Sequence, residues 1–186
     1  NSEATGLCDS VRKTQSGADL ERINQIGAKV NTTLHQTASS YLDQGKLVGV
    51  VGGDHSSPFG LIQAYAERIP ELGILHIDAH ADLRLAYEGF EWSHASIMRN
   101  VVEKTTVAKL VQVGVRDYCE EERDFIQSSD RISTFYDQDL ADGRFSGETF
   151  EAQCQRIVNE LPQQVYISLD IDGLDPALCP STGTPV

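Results

Sequence analysis

Two rhythms of apolar residues alternate along the 186-residue chain. Five short stretches are near-continuous runs rich in Val, Ile and Leu: LVGVVGG at 47–53, GILHIDAH at 73–80, KLVQVGVR at 109–116, RISTFYD at 131–137 and QVYISLDID at 164–172. Unbroken runs of this kind suit strands covered on both faces, whereas a half-exposed sheet would alternate. Between them the apolar spacing changes to three and four residues. Leu20, Ile23, Ile26, Val30 and Leu34 form one stripe along 19–41, which predicts an amphipathic helix. Segments 58–69, 93–102, 120–126 and 148–161 also read as helices, the last with Ser146 as its expected cap. Strand and helix in steady alternation predict an α/β fold with a largely parallel sheet and right-handed crossovers.

Composition adds limits. Apolar residues make up 40% and charged residues 23% of the chain, ordinary globular usage that argues against disorder. At this length one domain is expected. Lys and Arg total 15 against 28 Asp and Glu, giving a formal charge of -13. Nucleic acids and anionic membranes need clustered Lys and Arg, so neither is an expected partner. The balance suits cationic ligands and metal ions instead. No apolar run approaches the ~20 residues that span a bilayer, and the polar start NSEATGLCDSVRKTQSG shows no leader-peptide pattern. Cys8, Cys119, Cys154 and Cys179 form no CxxC pair and read as reduced thiols of a cytoplasmic protein.

In parallel sheets, ligands bind beyond the carboxyl ends of the strands. Three predicted strands run there into GGDHS, DAHAD and SLDIDGLDP. Asp78, His80 and Asp82 are two residues apart, as are Asp170 and Asp172, so an extended backbone would point each set to one face. His55 follows the Gly52–Gly53 pair. Four crowded carboxylates repel one another unless cations intervene, and two divalent ions would neutralise them. Oxygen-rich ligands with two imidazoles suit Mn²⁺ better than a thiolate zinc site, with Zn²⁺, Co²⁺ and Fe²⁺ still open. A single DxD or DxH is usually a turn or a cap; three at three strand ends point to a metal site. Asp54 and Ser56 are expected to cap the following helix. His76 reads as a core or supporting histidine, His35 as surface or core, and Asp175 as a turn former or an anchor behind the ligands.

GGDHS, DAHADLR, SLDIDGLDP and STGTPV, in that order from His55 to Val186, resemble the signature blocks of the ureohydrolase family of arginases, agmatinases, guanidinobutyrases and formimidoylglutamases. The resemblance implies a three-layer α/β/α fold, two Mn²⁺ ions and a homotrimer or homohexamer. It assigns His55, Asp78, Asp82 and Asp170 to one ion. His80, Asp78, Asp170 and Asp172 go to the other, with Asp78 and Asp170 bridging. A hydroxide shared by the ions would attack the guanidinium carbon, with Asp82 stabilising the tetrahedral intermediate. His94 in WSHAS matches the family's proton-shuttling histidine; its alternative is a plain exposed loop residue.

The DLR, YEG and SHA blocks look closest to the agmatinase branch. The segment between Asp82 and His94 offers Glu88 and Glu91, with Arg84 as its only cation and an expected ion-pair partner. Agmatine, which lacks a carboxylate, is therefore the leading small cationic substrate, giving putrescine and urea. The alternatives are another ureohydrolase activity or a catalytically inert metal-binding domain. Family chains continue past TGTP to a glutamate that grips the guanidinium. Residues 1–186 are thus expected to be a single, incomplete ureohydrolase domain.

Overall fold

A computed structural model describes residues 2–14 and 16–182. In chain order its elements are α1 (Ser2–Thr14), α2 (Gly17–Leu42), α3 (Phe59–Ala66), β1 (Gly73–Ile77), α4 (Ile97–Lys104), β2 (Lys109–Val115), α5 (Glu120–Gln127), β3 (Ile132–Tyr136), α6 (Asp137–Phe145), α7 (Phe150–Asn159) and β4 (Val165–Leu169). Among the described residues, four strands form one parallel sheet in the order β3-β2-β1-β4. This is the α/β architecture that the apolar rhythm predicts.

Register decides which side chains share a face. Ile74, Leu110, Ile132 and Tyr166 lie in one row across the sheet. Phe59 and Ile62 of α3, Met98 and Val101 of α4 and Phe125 of α5 pack against that row and form the main core. Full burial of such a side chain contributes roughly 1.5–3 kcal/mol. On the opposite face, α6 packs over β2 and β3, and Arg156 of α7 lies over the Phe135 ring. Helices therefore flank both sides of the sheet. β4 is an edge strand whose Ile167 and Leu169, on that second face, are 64% and 55% exposed.

Several expectations change. The 47–53 run is not a strand. Val48 and Val50 pack against Ala38, Leu61 and Ala64, and the Tyr65 hydroxyl bonds both the N–H and the C=O of Val48. Leu47 and Val51 point outward, and no described strand lies alongside to complete a ladder. Thr149, not Ser146, caps α7, accepting a hydrogen bond from the Ala152 N–H; Ser146 instead closes α6. Neither α1 nor α6 is foreseen by the apolar pattern, and α6 buries no residue that could have marked it.

The four cysteines are free thiols. No helix among the described residues is long and apolar enough to cross a membrane. Residues 183–186, the end of the STGTPV block, lie outside the described residues.

Candidate metal centre

Each strand end reaches the site by a different local device. β1 stops at Ile77, and the extended backbone expected through Asp82 does not persist: Asp82 has φ +54°. Aspartate is among the few residues that tolerate this left-handed region. The turn aims the Asp82 carbonyl at the Met98 and Arg99 N–H groups (3.0 and 3.2 Å), which the start of α4 would otherwise leave unpaired. Its carboxylate is buried toward Asp78 and His55. The three residues of DAHAD do meet, but by a bend rather than along one extended face.

In GGDHS, the Asp54 carboxylate accepts from the Ser56 N–H and hydroxyl, folding an Asx turn that presents His55. The expected helix cap is absent, because the residue preceding α3 is Pro58, which makes no side-chain cap bond. At the β4 end, Asp170 accepts from the Asp172 N–H at 3.2 Å and starts a short 3-10 turn, Ile171–Gly173. Gly173 is required there, since a Cβ would lie 2.9 Å from the Asp78 nitrogen. Arg116 then clamps the turn, donating to the carbonyls of Asp172 (2.6 Å), Gly173 (3.4 Å) and Leu174 (3.1 Å). Asp175 folds a turn of its own, accepting from the Ala177 N–H.

These devices assemble two groups around one carboxylate. His55 Nδ1 lies 2.7 Å from Asp78 Oδ2, 3.1 Å from Asp82 Oδ2 and 3.5 Å from Asp170 Oδ2. His80 Nδ1 lies 3.4 Å from Asp78 Oδ1 and 3.3 Å from Asp172 Oδ2. Asp78 therefore turns one oxygen to each histidine. His76, Asp78, Asp82 and His55 could hold one metal ion, and Asp78, His80 and Asp172 another. His76 stands in the first group beside the expected residues, and Asp170 lies at the margin, near His55.

The electrostatics describe a site short of positive charge. Burial pulls the His55 pKa down, but hydrogen bonds to Asp78 and Asp82 outweigh it and raise it to about 10. His80 rises to about 9, chiefly through its hydrogen bond to Asp78 and against a smaller burial effect. Burial opposes ionisation of Asp78, yet bonds from three histidines hold its pKa well below the carboxylate range. Burial raises Asp82, and the Asp78 charge adds to the rise. One buried carboxylate thus ionises readily while its neighbour resists, as expected where negative charge is crowded.

The groups sit in a cleft of about 600 Å³ whose lining includes Arg84, Tyr87, His94, Asp117 and Glu122. His94 is exposed at the rim, with its ring 5.6 Å from that of Tyr87. Arg84 faces Glu122 at 3.8 Å. Glu88 and Glu91, which the segment between Asp82 and His94 offers, do not line the cleft: Glu88 pairs with Arg12 at 2.9 Å, and the Glu91 backbone N–H donates to Asn24. His35 pairs with Glu67, outside the cleft. Sequence reading missed Arg116, Gln112, Ser168 and Glu122. Glu122 is buried and accepts from the Leu83 and Cys119 N–H groups, tying the DAHAD loop to α5.

The family model described as the Arginase family matches residues 9–186. An N(1)-aminopropylagmatine ureohydrolase of Thermus thermophilus is 36% identical over 156 residues, 82% of this chain and 49% of that protein. An agmatinase of Bacillus subtilis is 32% identical over 152 residues, 81% of this chain and 48% of its own. The chain spans about half the length of these curated relatives. Among solved structures, an arginase from Bacillus cereus superposes with a TM-score of 0.70 at 26% identity, covering 87% of this chain and 60% of that one. An arginase from Medicago truncatula gives 0.67 at 28%, covering 85% and 49%.

Proposed function

Because the chain belongs to the Arginase family, we propose that it carries the metal-binding part of a hydrolase that releases urea from a guanidino compound. The observation behind this reading is the split of Asp78, with Oδ2 toward His55 and Oδ1 toward His80. Such a shared carboxylate suits two cations side by side. The donors are imidazole nitrogens and carboxylate oxygens without thiolate, which fits a pair of Mn²⁺ ions. His55, Asp78, Asp82 and Asp170 would hold one, and His80, Asp78, Asp170 and Asp172 the other. When bound, the ions supply Lewis acidity, acidifying water so that a strong nucleophile exists at neutral pH.

The chain's own groups do the rest. Asp82, fixed by burial and by its bend, faces the guanidinium and offsets its charge as the carbon becomes tetrahedral. The breaking C–N bond leaves an amine that must gain a proton. His94, exposed at the rim, hands that proton on from a ring nitrogen.

Substrate class follows from charge. Among the described residues lining the cleft, Arg84 is the only Lys or Arg, and it faces Glu122. A substrate carboxylate would meet acidic side chains there, so agmatine is favoured over arginine. The carboxylate-free N(1)-aminopropylagmatine named for the Thermus relative belongs to the same class. The test is urea release by the full-length protein with Mn²⁺, comparing these amines with arginine, guanidinobutyrate and guanidinopropionate. Urea from the amines, lost in Asp170→Asn, is the expected result. Faster turnover of arginine or guanidinobutyrate would overturn the substrate reading.

A further inference from the structure

One row of the sheet is polar from edge to edge. Thr134 on β3, Gln112 on β2, His76 on β1 and Ser168 on β4 are partners in register, next to the apolar row of the main core. His76 and Gln112 are fully buried, and Ser168 is 4% exposed. Polar groups persist in such a place only when their hydrogen bonds are met.

The bonds in this row have a fixed direction. Gln112 Nε2 lies 2.7 Å from the Ala81 carbonyl, which can only accept, so the amide orientation is set. Thr134 Oγ1 donates to Gln112 Oε1 at 3.0 Å and holds the same orientation from the other end. The second amide hydrogen then points at His76 Nδ1, 3.0 Å away, which must accept. The ring proton is left on Nε2, where it donates to Asp78 Oδ2 at 2.9 Å. At the other flank, Ser168 Oγ lies 2.7 Å from His55 Nε2 and fixes the ring with Nδ1 toward the carboxylates.

We infer that this row is a positioning device. Gln112 and Thr134 lock His76 as a hydrogen-bond donor to Asp78, and Ser168 locks His55 with Nδ1 toward the cleft. His76 stands among the possible ligands but is not one, since its Nδ1 is occupied by Gln112 and its Nε2 holds a proton. The inference rests on the metal-centre reading above only for its effect on metal binding. The tautomer itself stands on the hydrogen bonds.

The test has two arms. Nitrogen-15 NMR of the metal-free protein reads the His76 tautomer directly, with an unprotonated Nδ1 and a protonated Nε2 expected. Calorimetric titration with Mn²⁺ then compares the parent with Gln112→Leu, Thr134→Val and Thr134→Ser. Removing a group that orients a ligand weakens metal binding about 10–100-fold. That loss is expected for Gln112→Leu, a smaller loss for the near-isosteric Thr134→Val, and near-parental affinity for Thr134→Ser. If Gln112→Leu fails to fold, the Val and Ser pair at 134 decides. A protonated His76 Nδ1, or equal affinity for Thr134→Val and Thr134→Ser, would overturn the inference. Should the parent bind no Mn²⁺, the metal-centre reading fails by itself and the tautomer alone decides the row.

Discussion

β1 and β4 are neighbours, run parallel and each send two aspartates into the same cleft, yet their surroundings differ. In β1, Ile74 and His76 are fully buried, and the Asp78 and Asp82 that follow are 1% and 4% exposed. In β4, Ile167 and Leu169 are more than half exposed, and the Asp170 side chain keeps 29% exposure. Packing holds the β1 carboxylates. The β4 carboxylates rely more on individual bonds: Arg116 on the carbonyls of the 3-10 turn, and the Ala79 N–H on Asp172 Oδ1. If the two groups hold the proposed pair of ions, they need not be equally rigid, and the His55 side is the better prepared.

The largest effect should come from Asp78→Asn, which damages both groups at once; Mn²⁺ binding by calorimetry and urea release should both disappear. Next, Ile74→Ala should cost roughly 2–5 kcal/mol in chemical denaturation, whereas Ile167→Ala should stay within about 0.5 kcal/mol. Equal costs would erase the contrast between the strands. Arg116→Met should loosen the β4 side, weakening the Mn²⁺ held by Asp172 about tenfold and the other, which shares only Asp170 with that side, by less. The smallest effect is a pH trend. His55 and His80 are raised to about 10 and about 9, so the stability they contribute to the metal-free protein is complete below about pH 6.5 and is lost as pH climbs through those values. Thermal unfolding should therefore fall to lower temperature from pH 6.5 to pH 10. Mn²⁺ affinity should rise over the same range, because bound ions displace those protons.

The strand-end motifs were readable in the sequence because parallel strands deliver their carboxyl ends to one place. What could not be read depends on neighbours. The 47–53 run is as apolar as β2 but has no strand beside it among the described residues, and Glu88 is drawn to Arg12 by an ion pair that only the fold reveals. The polar row did leave a trace: Gln112 interrupts LVQV as His76 interrupts ILHI and Ser168 interrupts YISL. Only register shows that these interruptions coincide. Arg116 left none, since the turn carbonyls it clamps lie 56 to 58 residues away.

If Asp78 joins two metal positions, electron paramagnetic resonance of the Mn²⁺-loaded protein should show it. Two ions sharing a carboxylate would be magnetically coupled, so a multiline signal at two Mn²⁺ per chain is predicted. A six-line spectrum from isolated Mn²⁺, or saturation at one ion per chain, would rule out a carboxylate shared by two ions.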